Sequence, residues 1–499
     1  MSLIAAALLS LSAAAANLRY AEDLAPGTVN PLFGSSMAEA RANELLFESL
    51  YADDTDLASA PRLAESGELS PDRRVMTVRL RRDVTWHDGR PFTADDVVFT
   101  VGAMKDPTTA STEVGRVAFI EAVQKVDANT VRLTFVRPEV KPEDKLHFKI
   151  LPAHAFPGGT SVKRGDPFRS APIGTGPYRL ARFNDDHSVS FEAVPNWRKP
   201  VGIQQVTLRE VADKSYQTKL LMYESLEALV RVMPRDLAVL RGNRAVELYP
   251  YQTNSWWYLG FNQSRAVWAD PVVRAAVARF VDVPGLLAPV GTGERVTGPF
   301  VPSSPFYNHD VVAPPTDPAE GARRLEAAGW TRGPTGWSKG GKPLAITVSA
   351  HRALDSAQEV AINLQSQLGR HGVTVQLEFL DEADWKARVW RDRSFDVVLS
   401  QWTFDRNEDV REQLHSAGSR NFVGYANPAV DALLDEARDA ADPWARKQAM
   451  REVHAAVAAD QPMVFLWTLD NYAALSTKVR AALIHPFSFF TWLPGWTMK

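Results

Sequence analysis

The stretch Trp86-His87-Asp88-Gly89-Arg90-Pro91-Phe92-Thr93-Ala94-Asp95-Asp96-Val97-Val98-Phe99 joins a strand, a turn and a helix in one specific order. Upstream, apolar and polar residues alternate through residues 76–81, which is the period of a strand with one buried face. Asp88 and Gly89 are residue types that turn the chain. Thr93 predicts a helix N-cap, and the two aspartates after it place negative charge at the positive end of the helix dipole. The stretch therefore predicts a structural role and not a catalytic one.

Composition limits the kind of protein that the chain can form. A chain of 499 residues is too long for one ordinary core, so two or three domains are expected. Hydrophobic residues at 45% and charged residues at 23% are typical of a globular protein. A net charge of −3 gives no reason to expect a nucleic-acid partner. The absence of cysteine excludes disulfides, thiolate metal sites and a lipidated N-terminal cysteine.

The N-terminal segment has the pattern of a secretory signal. Residues 1–16 are apolar and rich in alanine, too short for a membrane-spanning helix, and they end in small side chains. We expect a signal peptide over residues 1–16 that is cut near Asn17. The alternative is an N-terminal helix that is retained in the fold.

No motif in the sequence indicates catalysis or a cofactor. His87 is the strongest candidate for a catalytic base, but no nucleophile or metal partner accompanies it, so we interpret it as a turn residue with local hydrogen bonds. Residues 336–343 nearly match a phosphate-binding loop. Pro343 replaces the hydroxyl residue and a strand follows instead of a helix, which predicts a hairpin turn. We predict no catalytic residue, no cofactor and no metal site.

Strands and helices alternate between residues 343 and 402. Apolar residues at period two predict strands at residues 344–348, 373–377 and 395–402, with helices between them. Strands joined through helices favour parallel pairing, and ligands of such sheets bind beyond the carboxyl ends of the strands. Thr403-Phe404-Asp405-Arg406 follows the third strand and therefore lies at the predicted ligand edge. Two later helices open with Pro428 and Pro443 and have apolar faces typical of packing helices.

Six phrases along the chain resemble those of one protein family. They are the opening stretch, Leu46-Phe47-Glu48-Ser49-Leu50, Pro172-Ile173-Gly174-Thr175-Gly176-Pro177-Tyr178, Tyr258-Leu259-Gly260-Phe261-Asn262, Gly298-Pro299-Phe300-Val301-Pro302 and Asp431-Ala432-Leu433-Leu434-Asp435-Glu436-Ala437. In their content and order these phrases are similar to the family 5 extracellular solute-binding proteins, which serve peptide, nickel and oligosaccharide ABC importers.

The resemblance implies a fold and a division into domains. The expected fold is α/β and periplasmic binding protein-like (class II, cluster C), with two lobes, a hinge and an inserted extra domain. Domain I would comprise residues 17–52, 155–252 and 466–499. Domain II would be inserted at residues 53–154, and domain III would comprise residues 253–465.

The resemblance also implies a function. We expect the monomeric, periplasmic, non-lipidated substrate-binding component of an ABC importer. It would bind a small solute, most simply a short peptide, by hinge closure and deliver it to the permease, without catalysis. One alternative keeps the fold but binds an oligosaccharide, opine or cationic ligand. An alternative of another class is a hydrolase that uses Asp405, Glu408 and Asp409.

Asp405 is the residue that matches the ammonium-binding aspartate of peptide-binding members. A desolvated carboxylate needs a cation, and a free α-amino group supplies one. Here Gln401-Trp402 replaces the family's Gly-Trp pair, and an exposed Asp405 paired with Arg406 is the alternative. No histidine follows Asp405 where nickel-binding members carry one, and His415 is too distant to match.

The remaining expected ligand contacts come from two backbone segments and an aromatic cluster. The backbone of residues 33–36 and 400–403 would pair with an extended peptide by strand addition. Trp256 and Trp257 must point to opposite faces of one strand, so that at most one faces the ligand. The predicted ligand-binding residues, besides Asp405, are Phe33, Gly34, Ser35, Ser36, Trp256, Trp257, Ser400, Gln401, Trp402, Thr403 and Phe404.

Overall fold

The chain forms two compact units, which we describe separately. Among the described residues, the first unit comprises residues 16–251 and 472–499, and the second comprises residues 252–471. The computed structural model describes residues 16–34, 36–404, 407–440 and 442–499. The expected signal peptide lies almost wholly outside the described residues, so its cleavage stays a prediction. The three-domain boundaries also stay a prediction.

A seven-stranded mixed sheet forms the centre of the first unit. Its first strand, Asn17–Glu22, pairs in parallel with Gln205–Glu210, although about 190 residues separate them along the chain. In spatial order the strands are Val246–Tyr251, Asn471–Ser476, Ala228–Leu229, Asn17–Glu22, Gln205–Glu210, Val189–Ala193 and Tyr178–Phe183.

The opening stretch belongs to a second sheet of the first unit, which is antiparallel. Its four strands, in spatial order, are Ala64–Leu69, Val75–Leu80, Thr130–Phe135 and Ile120–Asp127. The predicted strand, turn and helix are confirmed. Gly89 takes a left-handed φ of 88°, and Thr93 is the N-cap of the helix Ala94–Lys105. The second aspartate of that cap, Asp96, is buried and accepts hydrogen bonds from the backbone N–H groups of Thr93 and Ala153 at 2.8 Å each.

Shorter elements complete the first unit. Its other α-helices are Met37–Leu46, Lys214–Met222 and Leu237–Arg241. Two small antiparallel sheets pair Tyr51–Asp53 with Ser59–Pro61 and Val479–Arg480 with Thr497–Met498.

His87 connects three of the six family phrases, and the prediction of local hydrogen bonds was wrong. Its Nδ1 accepts from the N–H of Gly174 at 3.1 Å, so its Nε2 carries the proton that is donated to the carbonyl of Gly176 at 3.1 Å. The N–H of Gly176 donates in turn to the carbonyl of Leu46 at 2.8 Å. Burial lowers the pKa of His87 to about 4, which keeps the ring neutral. His87 is therefore a half-buried connector between distant segments.

A five-stranded sheet forms the centre of the second unit. In spatial order its strands are Thr374–Leu380, Ala345–His351, Val397–Thr403, Ser255–Phe261 and Met463–Phe465. The first three run parallel, as predicted, and Ser255–Phe261 pairs antiparallel with the third. The pairing partners of Ser255–Phe261 were not predicted, because strand alternation does not identify a neighbour.

The remaining elements of the second unit include both predicted proline-initiated helices and the predicted hairpin. Gly336–Lys339 pairs with Lys342–Pro343 as that hairpin, joined to Thr331–Gly333. A further pair is Gly293–Arg295 with Trp467–Leu469. The α-helices are Ala266–Ala269, Pro271–Arg279, Val283–Leu287, Pro318–Ala327, Ala357–Arg370, Glu382–Trp385, Arg411–Leu414, Pro428–Asp439 and Pro443–Asp460, and Lys386–Arg391 is a π-helical turn.

Two apolar clusters cover the two faces of the five-stranded sheet. Helix Ala357–Arg370 packs on one face, in the cluster that contains Trp257. Helices Pro428–Asp439 and Pro443–Asp460 pack on the other face, in the cluster that contains Trp256. Throughout the described part of the chain, we find no helix with the length and apolar character needed to cross a membrane.

Candidate functional site

Several strands of the second unit meet at one edge of the five-stranded sheet. The parallel strands end there at His351, Leu380 and Thr403. The antiparallel strand begins at the same edge, where Ser255 lies opposite Thr403. Carboxyl ends of parallel strands are the places where sheets of this kind bind ligands. This edge is the candidate site, and we call it the ligand edge.

The central strand Val397–Thr403 is paired on both sides only along its first half. Residues 397–399 lie between residues 348–350 on one side and residues 259–261 on the other. Residues 400–403 continue to pair with residues 255–258, but no described strand pairs with them on the opposite side. The central strand therefore offers a free edge over residues 400–403.

The hydrogen-bond pattern identifies the backbone groups that point toward this free edge. The N–H of Phe404 donates to the carbonyl of Asn254 at 2.8 Å, which makes this opposed pair a hydrogen-bonded one. Hydrogen-bonded pairs alternate along an antiparallel ladder, so the groups of Gln401 and Thr403 point away from Ser255–Phe261. The carbonyl of Trp257, opposite Gln401, accordingly accepts from Leu466 on its far side at 2.9 Å. Gln401 and Thr403 thus present backbone donors and acceptors to a ligand.

The two predicted tryptophans lie on opposite faces of their strand, as expected, and both are buried. Trp256 is 1% exposed and stacks on Phe404, with ring centroids 6.1 Å apart. Trp257 is 2% exposed and stacks on Trp467 at 5.8 Å. Trp256 therefore packs under the ring of Phe404 on one face of the five-stranded sheet. Trp257 is a core residue on the opposite face of that sheet. Their assignment as direct ligand contacts stays a prediction.

Polar side chains along the ligand edge are bound to one another. The hydroxyl groups of Ser255 and Thr403 lie 3.0 Å apart, and the amide of Gln401 donates to the Thr403 hydroxyl at 3.1 Å. His351 accepts at Nδ1 from Ala353, so its Nε2 donates to Glu382 at 2.9 Å. Hydrogen bonds from Lys386 and His351 hold the pKa of Glu382 below its usual value. These described polar side chains are thus partnered with one another, and the backbone groups of Gln401 and Thr403 remain for recognition of a ligand.

Three of the four predicted residues of the other backbone segment are described, all in the first unit. Phe33 is buried beneath the Arg164 guanidinium, 5.4 Å from the ring centroid. The carbonyl of Gly34 accepts from the Thr112 hydroxyl at 3.0 Å. Ser36 is the N-cap of helix Met37–Leu46 and accepts from Glu39 at 3.2 Å. The segment is therefore anchored at both ends, and its contact with a ligand stays a prediction.

Asp405, Arg406 and Ser35 lie outside the described residues, so the ammonium-binding assignment stays a prediction. The carboxylates of the hydrolase alternative are described in part. Glu408 is buried and Asp409 is exposed, and Asp409 accepts from the N–H of Arg411 at 3.0 Å. Among the described residues, no group of three or more histidine, aspartate or glutamate side chains is arranged to hold a metal ion.

Comparison with known proteins identifies the family. Residues 59–422 match the family of bacterial extracellular solute-binding proteins, family 5 middle. The chain belongs to this family. Protein XP55 of Streptomyces lividans is 28% identical over 467 residues, which cover 91% of this chain and 83% of XP55. The α/β periplasmic binding protein fold is confirmed, and the chain is a solute-binding protein.

Two solved structures share the fold of this solute-binding protein. One is the oligopeptide-binding protein AppA of Bacillus subtilis in complex with a nonapeptide, with a TM-score of 0.82 and 22% identity. The alignment covers 97% of this chain and 99% of AppA. The other is NikZ of Campylobacter jejuni in complex with Ni(L-His), with a TM-score of 0.81, 23% identity and coverage of 96% and 99%. Ligands within this fold therefore differ in chemical class.

Sequence reasoning missed two aromatic residues beside the ligand edge. Phe422 stacks on Trp402 with centroids 5.5 Å apart, and Trp390 stacks on Phe422 at 5.7 Å. Neither residue lies in a family phrase quoted above. The sequence did offer one signal for Trp390. It is a large apolar residue directly after Val389, and neighbouring residues of a regular helix cannot both lie at the centre of one apolar face.

Proposed function

We propose that this solute-binding protein binds a short peptide at the ligand edge of its second unit. The observation that carries this proposal is the free edge of the central strand at Gln401 and Thr403. An extended peptide satisfies such an edge by adding a strand, while a compact sugar or metal chelate does not. The surrounding aromatic side chains supply apolar contact area for peptide side chains.

The proposed role of Asp405 is to bind the α-ammonium group of the peptide. In the sequence, Asp405 follows Thr403, the last residue of the central strand, by two positions. A charge-assisted hydrogen bond there would fix which end of the peptide lies at this position. We expect Asp405→Ala to lower affinity for peptides with a free N-terminus, while Asp409→Ala, an exposed carboxylate of the same segment, serves as the matched control. An unchanged affinity in Asp405→Ala would contradict this role.

The protein delivers the peptide, on this proposal, to the permease of an ABC importer without changing it. It acts as a non-lipidated monomer in the periplasm after removal of residues 1–16. Binding would shift the population toward a closed state for which the ligand has the higher affinity. No covalent step is required of any residue.

A second candidate solute is an oligosaccharide or a flat cationic compound. The observation that favours it is the partly exposed ring of Trp402, which stacks on the buried Tyr258 with the two planes 2° from parallel. Such rings also bind sugar rings and cationic amines. A metal chelate has less support, because no histidine occupies the stretch just after Asp405, where nickel-binding members of the family carry one.

The experiment that separates these solutes is a thermal-shift screen followed by mass spectrometry. The purified protein is incubated with peptide, oligosaccharide and amine pools, and the bound and free solutes are identified. We expect peptides to raise the melting temperature and to be recovered intact. If only sugars raise the melting temperature of the protein, the oligosaccharide candidate is favoured and the peptide proposal is contradicted. Recovery of cleaved products would support the hydrolase alternative.

A further inference from the structure

Trp390 lies at the outer end of a row of four stacked aromatic rings in the second unit. Tyr258 stacks on Trp402 with centroids 6.2 Å apart, and Trp402 stacks on Phe422 at 5.5 Å. Phe422 then stacks on Trp390 at 5.7 Å, with the rings 13° from parallel. The row runs from the buried Tyr258 to Trp390, which is 49% exposed. One face of the Trp390 indole is covered by Phe422, and much of the remaining ring surface is accessible.

A wide helical turn holds Trp390 in this position. The π-helical turn Lys386–Arg391 directly follows the α-helix Glu382–Trp385. Its Val389 is fully buried in the apolar cluster that also contains Trp256 and Phe422. This anchor fixes the next residue, Trp390, at the rim of the cluster. Single π-helical turns are frequent at functional sites.

The row lies on the face where the proposed ligand would place a side chain. Side chains of a strand alternate between the two faces of a sheet, and directly opposed residues of neighbouring strands share a face. A peptide strand paired with Gln401 and Thr403 would have one residue opposite Trp402. The side chain of that residue would point to the face that carries Trp402, Phe422 and Trp390.

The charged groups of the π-helical turn are already paired. Arg388 forms an ion pair with Glu378, and Lys386 pairs with Glu382 at 2.7 Å. Arg391 pairs with the neighbouring Asp392 at 2.7 Å. The row therefore presents a neutral aromatic surface, which favours an uncharged aromatic side chain over an acidic one.

We propose that Trp390 and Trp402 form a subsite for an aromatic side chain of the bound peptide. This inference rests on the proposed peptide-binding function and adds a preference at one ligand position. In this view Trp390 would contact a side chain of the peptide and would therefore determine specificity at that position.

Isothermal titration calorimetry on the full chain tests the subsite. The probes are alanine peptides of three to five residues and the same peptides with one phenylalanine at each position in turn. We expect one position where phenylalanine binds roughly tenfold more tightly than alanine. Trp390→Ala should reduce that gain to about twofold, and Trp390→Phe should retain most of it. Ile362→Ala, at an equally exposed (49%) apolar residue on a helix of the opposite sheet face, should leave the gain unchanged.

The possible results separate this inference from the function on which it rests. An equal phenylalanine gain in wild type and Trp390→Ala, with both proteins binding the alanine peptides, would overturn the subsite alone. Failure of every peptide to bind the wild type would overturn both proposals. Melting curves of Trp390→Ala that match the wild type would show that a reduced gain is not caused by unfolding.

Discussion

Two histidines, the half-buried His87 and the fully buried His454, act as neutral connectors in this protein. His87 links the turn of the opening stretch to the segment that contains Gly174 and Gly176. In the second unit, His454 accepts at Nδ1 from the N–H of Asn308 at 3.1 Å, so its Nε2 donates to the Thr297 hydroxyl at 2.9 Å. Burial lowers the pKa of each histidine to about 4. Protonation of either ring would add a hydrogen to an Nδ1 that must accept.

The neutral His87 predicts a pH-dependent effect of its substitution. Its folded pKa of about 4 lies below the usual value of 6.5, so its contribution to stability is present above pH 6.5 and falls as the pH drops toward 4. Chemical denaturation of wild type and His87→Gln should therefore differ less at pH 5 than at pH 7.5. Linkage gives a reduction of about 2 kcal/mol in the free-energy difference.

The exposed His187 provides the matched comparison for this experiment. His187→Gln removes an imidazole that the fold does not bury. A free-energy difference for His87→Gln that stays constant between pH 7.5 and pH 5 would contradict the neutral connector.

The sequence predicted the role of His87 only in part. Its neighbours Asp88 and Gly89 predict a turn by their local chemistry, and the turn is present. The bonds to Gly174 and Gly176 depend on tertiary contacts 87 and 89 residues away, which no local pattern specifies. Buried polar groups need partners, and that rule says nothing about where along the chain the partner lies.

At the scale of elements, close packing of three backbone segments holds the first unit together around Gly174. A Cβ atom at this position would lie 1.8 Å from the carbonyl oxygen of Leu46 and 3.1 Å from the His87 ring. Only glycine permits this approach without movement of the backbone. The family phrases that contain these residues are therefore linked by direct contact.

Gly174→Ala should destabilise the first unit. Because the added methyl group meets backbone, the segments must separate, and we expect a loss of at least about 2 kcal/mol in the free energy of unfolding. Gly165→Ala is the control, since a Cβ there would meet no atom within 4 Å. Thermal melting followed by circular dichroism measures both variants. Equal melting temperatures would contradict the account of this contact.

The free edge of the central strand predicts an alternating pattern in the ligand. Only every second residue of an added strand directs its N–H group toward Gln401 and Thr403. N-methylation of a bound peptide at one residue at a time should therefore weaken binding at alternate positions, by roughly tenfold for each lost hydrogen bond. Calorimetric titration measures the series. Affinity that is insensitive to methylation at every position would contradict strand addition.

The elements of the second unit were largely predictable, but the candidate site was not. Period-two patterns located the three parallel strands, because each has one repeating set of apolar residues. The free edge arises because pairing with Ala345–His351 ends at Leu399, while pairing with Ser255–Phe261 continues to Thr403. Register of this kind is set by tertiary packing, so the sequence indicated the position of the edge and not which groups are free.

At the scale of the whole molecule, the chain passes twice between its two units. The crossings lie between residues 251 and 252 and between residues 471 and 472. We proposed that ligand binding shifts the population toward a closed state. Two crossings suit such a motion, because hinges are commonly a few residues between elements that absorb the change in backbone angles.

Closure predicts a smaller radius of gyration in the presence of ligand. Small-angle X-ray scattering with a saturating peptide should show this decrease, and an N-acetylated form of the peptide, which lacks the ammonium group, is the control. The peptide at about one hundred times its dissociation constant should also add about 2.7 kcal/mol to the stability of the folded state. An unchanged radius with confirmed binding would contradict closure.

Hydrogen–deuterium exchange of residues 397–404 tests the central claim most directly. The N–H groups of Gln401 and Thr403 point to the free edge, while those of Trp402 and Phe404 already belong to the ladder with residues 254–256. Addition of a bound short peptide should slow exchange at Gln401 and Thr403 and change little at Trp402 and Phe404. Peptide binding with no added protection at Gln401 and Thr403 would contradict the proposal that the peptide binds as an additional strand at this edge.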